Sequence, residues 1–297
     1  MTPLTNSELS TWQTCQRGWW LSYYRQLRRV YDFPKLPYIG TLYHRGLERY
    51  YKGEEVDPQL FVAQETIGLM EKNPNFAAEI EEVAVWAKIM LEGYFEWLEE
   101  SGSDSNLEII GVEEAVEVQV EEFTLKGKID ARVKRRSDGA LLQLEHKTVG
   151  GLGDLPKTAQ TNQQFLTYDL LAYMTTPDGV ATDGVLLNMA RRVKRTKAAK
   201  PPFYGRHEVR HTVDELRNHY KHVVGVGRQI AKARAQLDAG DEFHVVCPPS
   251  QGREHEWKCS CSRLNSMFDD GSDYESYLAE FYEVHDPMER YAPEEEA

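Results

Sequence analysis

Long apolar runs are missing from this sequence, and so are the marks of a secretory leader. No stretch approaches the roughly 18 apolar residues that a membrane-spanning helix requires, so we expect no association with a membrane. The opening residues, MTPLTNSELSTW, lack the basic and apolar regions of a signal peptide. Residence in the cytoplasm is therefore the expected default.

Positive charge is also in short supply. The chain carries 35 Lys and Arg against 48 Asp and Glu, which gives a net charge of −13. This balance excludes a generic basic surface for nucleic acid, but the charges are unevenly placed. Acidic residues concentrate at 79–122 and in the tail 292–297, which we expect to be disordered. Basic residues cluster at 17–29, 126–136 and 191–200.

Cysteine is scarce too, with Cys15, Cys247, Cys259 and Cys261 as the whole set. In a cytoplasmic protein disulfide bonds are a poor default, because the compartment keeps thiols reduced. Free thiols and a metal site are the two alternatives.

What the sequence does contain is typical of a globular protein, with 41% hydrophobic and 28% charged residues. A chain of 297 residues can bury a large core, as one elaborated domain or as two small ones. The residue pattern predicts helices at 7–29, 40–51, 156–175 and 212–237, a largely helical stretch at 58–100, and strands at 108–122 and 180–190. The first helix, rich in Trp and Tyr, either packs on the core or guides a nucleic-acid strand.

The stretch 124–148 is the most informative part of the chain. It reads TLKGKIDARVKRRSDGALLQLEHKT and predicts two β-strands joined by a tight turn. In the first strand apolar residues alternate with polar ones, which places Asp130 on the polar face. In the second strand Glu145 and Lys147 share one face.

The length of the turn decides the register of this hairpin. A four-residue loop at 136–139 places Asp130 opposite Glu145, about 5 Å away on the same face. A two-residue loop would place Asp130 opposite Lys147, and a three-residue loop would turn it to the other face. Two carboxylates and a lysine that converge on a sheet surface suit a hard divalent cation. The alternative is an ordinary solvated polar face.

Two predicted helices carry further polar candidates. His44 lies on the helix at 40–51, where a lone histidine is more often a packing or surface residue than a ligand. Gln164 and Tyr168 are four residues apart on a helix and therefore share a face. Taken alone, that pair is typical of an ordinary polar helix edge.

Taken together and in this order, these residues resemble the RecB-like branch of the PD-(D/E)XK nuclease superfamily. That branch carries G-x-x-x-H on a helix, followed by G-x-x-D, E-x-K and Q-x-x-x-Y. The corresponding segments here are GTLYH at 40–44, GKID at 127–130, EHK at 145–147 and QFLTY at 164–168. Each motif alone is weak, whereas four in order with fitting spacing are specific. The resemblance covers residues 7–190, and the cysteines bring the chain close to the iron–sulfur-containing CRISPR-adaptation and phage exonucleases.

The resemblance implies an α/β, restriction-endonuclease-like core with a mixed central sheet flanked by helices, plus helical insertions. It implies one elaborated nuclease domain over 1–297, with the catalytic core at 40–190 and cluster-bearing ends at 1–30 and 240–270. Many relatives are phage-encoded or serve DNA repair, and for a phage protein the expected compartment is the cytoplasm of the host.

The resemblance also implies a metal site. His44, Asp130, Glu145 and the backbone carbonyl of His146 would bind Mg²⁺ or Mn²⁺. Independently of the resemblance, phosphodiester hydrolysis needs a nucleophilic water, neutralisation of the phosphate charge and help for the leaving oxygen. A divalent ion can supply all three.

Three more residues receive roles from the same resemblance. Lys147 would orient or activate the attacking water and offset charge on the phosphate. Gln164 and Tyr168 would position the DNA strand.

The placement of one cysteine before the core and three after it resembles the iron–sulfur relatives, in which a [4Fe–4S] cluster joins the two ends of the chain. Four thiolates satisfy the ligand count, so the implied ligands are Cys15, Cys247, Cys259 and Cys261. Their spacing departs from that of the family, since a single residue separates the last two. A zinc site with four cysteines and four unrelated buried thiols are the alternatives.

The favoured function is a metal-dependent DNA exonuclease that acts on DNA ends or single strands. The alternative is a catalytically weak nucleic-acid-binding protein for recombination or CRISPR-spacer handling. The intact Asp130, Glu145 and Lys147 argue against that alternative. A restriction-like endonuclease is a third reading, but the sequence has no obvious separate domain for reading DNA sequence.

Overall fold

The computed structural model describes residues 2–30, 33–175, 182–250, 261 and 264–291. The chain divides into two compact units. A terminal unit comprises Met1–Asp32, Glu117–Gly127 and Arg217–Ala297, and a central unit comprises Phe33–Val116 and Lys128–Leu216. The expectation of one elaborated domain stays a prediction. In the described ranges, every helix is too short or too polar to cross a membrane.

The central unit is built on a mixed sheet. Its strands lie in the order β4 (Phe123–Arg135, which enters this unit at Lys128), β5 (Leu141–Val149), β6 (Gly184–Arg191) and β7 (Tyr204–Val209), and β3 (Leu107–Val120) pairs with β4. The β4–β5 and β6–β7 pairs are antiparallel, whereas β5 and β6 are parallel.

Helices cover both faces of this sheet. On one face α3 (Lys35–Tyr51), α4 (Pro58–Lys72) and α5 (Ala77–Ser101) enclose a large core that includes Leu144. On the other face Phe165 of α7 (Gln163–Thr175) packs with Val185 and Leu187. Because successive side chains of a strand point to opposite faces, β6 contributes Ala190 to the first core and Val185 and Leu187 to the second. The predicted α/β class, with a mixed central sheet flanked by helices, is confirmed.

Two helices in the central unit differ from their predicted bounds. The α3 helix begins at Lys35 rather than at residue 40, because Pro37 lies in the first turn, where no backbone N–H is needed. The predicted helix at 156–175 is interrupted. It consists of α6 (Asp154–Thr158), a 3₁₀ turn and α7, and the side chain of Asn162 accepts the N–H of Gln164 at 2.9 Å where α7 begins.

Three further predicted elements are confirmed, and one strand was not predicted. The helical stretch at 58–100 is confirmed as α4 and α5, the strand at 108–122 as β3, and the long helix at 212–237 as α8 (Val213–Asp238). The sequence pattern missed β7, which begins at the end of a loop rich in Arg and Lys.

The terminal unit begins with β1 (Thr2–Thr5), which lies parallel to the first residues of β4. The predicted helix at 7–29 is wrong as a continuous element. Helix α1 (Asn6–Thr14) ends where Cys15 adopts an extended backbone, and the Cys15 sulfur accepts the N–H of Gly18 at 3.2 Å to cap α2 (Gln16–Trp19). A π-helical turn and the strand β2 (Leu27–Arg29) follow.

The C-terminal part of this unit is made of short elements. They are α9 (Phe243–Val246), α10 (Asn265–Asp269), α11 (Tyr274–Phe281) and β8 (Tyr282–Val284), which is antiparallel to β2. The acidic tail 292–297, predicted to be disordered, lies outside the described residues.

Candidate active site

The β4–β5 hairpin has the register of the four-residue loop. Ala131 pairs with Leu144, so the next pair outward in the same register is Asp130 opposite Glu145. Gly139 closes the loop with a φ of 75°, a left-handed conformation that glycine adopts without strain. The alternation of the two strands thus brings both carboxylates to one face of the sheet, as predicted.

Asp130 is buried, with 9% of its surface exposed. Its Oδ2 accepts the backbone N–H of His146 at 2.8 Å and lies 3.4 Å from Nδ1 of His44 on α3. Burial is the largest single influence and raises the pKa of Asp130, but His44, His146 and Lys147 together outweigh burial and hold that pKa well below its usual value. Burial lowers the pKa of His44, yet Asp130 more than compensates, so this pKa is raised. Each of these two groups therefore favours the charged form of the other.

Glu145 is also buried, at 3% exposure. Its Oε1 accepts hydrogen bonds from Nζ of Lys147 at 2.5 Å and from Nε2 of Gln164 at 3.1 Å. Burial, together with repulsion from the nearby Asp130, raises the pKa of Glu145 to about 7. A divalent cation bound between these two buried carboxylates would relieve their repulsion, and their oxygens are ligands that suit such a cation.

Gln164 and Tyr168, both on α7, are hydrogen-bonded to each other, and Gln164 is also hydrogen-bonded to Glu145. Nε2 of Gln164 donates to the Tyr168 hydroxyl at 3.2 Å as well as to Glu145. Gln164 therefore holds one oxygen of the Glu145 carboxylate in place. The shared helix face predicted for this pair is present, and the polar residues on it contact the hairpin.

The ring of His146 has partners of its own, separate from the backbone N–H that holds Asp130. Its ring stacks on Tyr51, with ring centres 5.3 Å apart, and lies edge to face with the ring of His44 at 5.8 Å. The amide of Asn188 on β6 donates to its Nδ1 at 2.9 Å. Burial lowers the pKa of His146 to about 3, so the ring is neutral and carries its proton on Nε2.

Asn188 belongs to a buried polar network that the sequence analysis missed. It donates a second hydrogen bond to the Tyr94 hydroxyl at 2.8 Å, and its Oδ1 accepts from Arg206 at 3.3 Å. Arg206 in turn pairs with Asp104 and with the backbone oxygen of Ser103. A polar residue inside the apolar strand β6 is the one signal that could have pointed to this network.

The predicted cysteine site falls in the terminal unit. Cys15, Cys247 and Cys261 are all buried, and the Cys15 and Cys261 sulfurs are 3.6 Å apart. Burial, with a smaller effect of the neighbouring Cys15, raises the pKa of the Cys247 thiol to about 12. The fourth predicted ligand, Cys259, lies outside the described residues.

Neither candidate metal site has closed coordination geometry. Throughout the described ranges, no group of three or more His, Cys, Asp or Glu side chains is arranged closely enough to bind a metal ion. At the hairpin, Lys147 and Gln164 occupy one carboxylate and His44 the other. A cation would have to displace or share these contacts.

Comparison with known proteins identifies the family. A family model of the PD-(D/E)XK nuclease superfamily matches residues 3–253. Among solved structures, the chain is similar to a "Putative exonuclease" from Eubacterium rectale, with 12% identity, coverage of 89% of this chain and 88% of that chain, and a TM-score of 0.47. It is also similar to the protein SSO0001, with 15% identity, coverage of 79% and 97%, and a TM-score of 0.33. No curated protein matches. Because the family model spans most of its length, this chain belongs to the PD-(D/E)XK nuclease superfamily.

Proposed function

We propose that this protein is a metal-dependent DNA exonuclease that hydrolyses phosphodiester bonds at DNA ends or in single strands. The observation that supports the proposal most directly is the convergence of Asp130, Glu145 and Lys147 on one face of the hairpin, with His44 beside Asp130. Membership of a nuclease superfamily agrees with this chemistry.

The proposed metal ligands are His44, Asp130, Glu145 and the backbone carbonyl of His146. A Mg²⁺ or Mn²⁺ ion bound by them would supply a nucleophilic water and neutralise charge on the phosphate. The N–H of His146 holds one oxygen of Asp130, which fixes the carboxylate before any ion arrives. The oxygens of the two carboxylates are the ligand type that such hard cations prefer.

Lys147 is proposed to act on the phosphate and on the attacking water. Its ammonium contacts the Glu145 carboxylate at 2.5 Å and offsets its charge. A cation bound to Glu145 would release the ammonium, which could then offset charge on the phosphate of the substrate. Gln164 is proposed to hold Glu145 in place and, with Tyr168, to position the DNA strand.

As a second part of the proposal, the buried Cys15, Cys247 and Cys261 bind a metal ion or cluster. Because the described residues hold no ready-formed group of three ligands, the sulfurs would have to move together when it binds. The resemblance implies a [4Fe–4S] cluster, in which each cysteine binds a different iron. The sulfur separation of 3.6 Å between Cys15 and Cys261 fits a tetrahedral zinc site with Zn–S bonds of about 2.3 Å. Because the two metals require different sulfur spacings, metal content decides between them.

The function is tested by digestion of end-labelled linear single-stranded and double-stranded DNA with Mg²⁺ or Mn²⁺, beside closed circular DNA and EDTA controls. We expect the linear substrates to be shortened from their ends, the circles to survive and EDTA to stop the reaction. Equal cleavage of circles would indicate an endonuclease. Binding without cleavage under every metal condition would indicate a nucleic-acid-binding protein.

A further inference from the structure

The loop that follows β6 concentrates positive charge. We call residues 191–200 the basic loop. Six of its residues are basic, and over the described ranges none of the six forms an ion pair with a carboxylate: Arg191, Arg192, Lys194, Arg195, Lys197 and Lys200.

Basic residues elsewhere in the central unit are commonly paired. Lys35 contacts Glu82 at 2.7 Å, and Lys52 contacts Glu48 at 2.6 Å. In a chain with a net charge of −13, acidic partners are abundant. A run of six unpaired cations is therefore a local departure from the charge pairing of the rest of the unit.

The basic loop is held against α5. The guanidinium of Arg195 stacks on Phe203 at 3.7 Å and donates to the Tyr204 hydroxyl at 2.7 Å. The ammonium of Lys194 lies 5.5 Å from the ring centre of Trp86. These contacts anchor the base of the loop, while Lys197 and Lys200 remain exposed to solvent.

The basic loop leaves the sheet at the end of β5 that carries Lys147. Arg191 pairs with Val149 in the parallel register, and the N–H of Arg192 donates to the Val149 oxygen at 2.8 Å. Val149 follows Lys147 by two residues, which is about 7 Å along a strand. Positive charge thus begins at the edge of the sheet next to Lys147 and continues along α5.

We propose that the basic loop binds the phosphate backbone of the DNA strand next to the scissile bond. Backbone phosphates are the chemical group that matches a row of unpaired Arg and Lys side chains. Backbone phosphates are the same at every base, so the loop would act on every sequence alike. This inference rests on the proposed nuclease function for the identity of the strand.

The test neutralises three basic residues of the loop that have no aromatic contact among the described residues, in the variant R192Q/K197Q/K200Q. In EDTA, where no cleavage occurs, we expect the Kd for a labelled single-stranded oligonucleotide to rise roughly 10- to 100-fold near 0.1 M salt. The slope of log Kd against log salt should fall by about 2, because three phosphate contacts are lost. With metal present, KM should rise while kcat stays unchanged.

The matched control is K72Q/K221Q/K232Q, which removes the same charge from three exposed lysines that form no ion pair with any described residue. This control should bind DNA like the wild type, and so should R192K/K197R/K200R, which keeps the charge of the loop. Equal weakening in the K72Q/K221Q/K232Q control would show a net-charge effect and overturn the proposal. Unchanged Kd and salt slope in the loop variant would also overturn it.

A small p-nitrophenyl phosphodiester separates this inference from the proposed function. It reaches the active site without touching the loop, so wild type and loop variant should hydrolyse it equally. If the wild type hydrolyses neither this ester nor DNA with any metal, the nuclease proposal fails. The binding measurement in EDTA then still decides whether the loop holds DNA.

Discussion

The side-chain amide of Asn188 donates to ring Nδ1 of His146 across the paired strands β6 and β5, at 2.9 Å. This contact links the buried network around Tyr94 to the residue whose backbone N–H holds Asp130. The same ring lies against His44. A side chain on the face opposite the carboxylates can therefore set the position of two proposed metal ligands.

Asn188→Ala should lower both stability and turnover. The change leaves His146 without its donor and the Tyr94 hydroxyl without one partner, which costs about 1–3 kcal/mol of unfolding free energy. We expect kcat to fall while KM for DNA changes little. Urea unfolding and steady-state kinetics measure the two effects. Asn106→Ala, which removes two exposed hydrogen bonds to Ser137 in the turn of the hairpin, is the control for turnover and should leave kcat unchanged.

Asp130→Asn and Glu145→Gln should each abolish cleavage and preserve the fold. Each change removes a proposed metal ligand and also relieves repulsion between two buried carboxylates. DNA binding in EDTA should persist. Asp138→Asn, in the turn of the same hairpin, serves as the control and should retain activity. Full activity in both site variants would place the metal elsewhere.

Lys147→Ala should spare metal binding and reduce kcat, by roughly 100- to 1,000-fold if the ammonium stabilises charge on the phosphate. Lys134→Ala, an exposed lysine of β4, should leave kcat unchanged. Single-turnover cleavage at saturating Mg²⁺ measures the effect. If the variant instead needs more metal to reach half of its maximal rate, and that maximal rate is unchanged, then Lys147 serves to position Glu145.

The stability of the central unit should fall as pH rises through the pKa of His211. Nδ1 of this buried ring contacts Asp169 at 2.5 Å and Nε2 contacts the Gln160 backbone oxygen at 3.2 Å, an arrangement that favours the protonated ring, which donates from both nitrogens. Burial lowers the pKa of His211, but Asp169 and Gln160 outweigh burial and raise it above its usual value.

A raised histidine pKa stabilises the fold fully below the unfolded value of about 6.5, and this stabilisation is lost as pH rises through the folded value. Burial is the main cause that raises the pKa of Asp169. A carboxyl group with a raised pKa also makes the fold less stable as pH rises. We therefore expect the difference in unfolding free energy between wild type and His211→Gln to shrink from pH 6 to pH 9. A constant difference for His211→Gln would show that the ring is neutral.

Protein purified without oxygen should contain metal bound by the cysteines. A [4Fe–4S] cluster would give brown protein with about four irons per chain, whereas the 3.6 Å sulfur separation favours one zinc in colourless protein. Cys15→Ser should remove the metal and lower the unfolding temperature. Metal-free wild-type protein with unaltered stability in Cys15→Ser would leave these cysteines as ordinary buried thiols.

The sequence alone determined the candidate site to the extent that it depends on local periodicity. The alternation of two strands and the length of one turn place Asp130 opposite Glu145, and both follow from neighbouring residues. The long helices α5 and α8 were equally readable, because an apolar stripe over many turns reports one element by itself.

Only the tertiary structure decided which distant side chains complete the site. Asn188 bonds His146, Gln164 bonds Glu145, and His44 pairs with Asp130 because sheet pairing and helix packing bring these residues together. The break of the first helix at Cys15 was not predicted, because the residues on either side follow a helical pattern. The Cys15 sulfur caps a new helix there and overrides that pattern. Periodicity describes the geometry within one element, whereas hydrogen bonds between elements depend on how the packed faces meet.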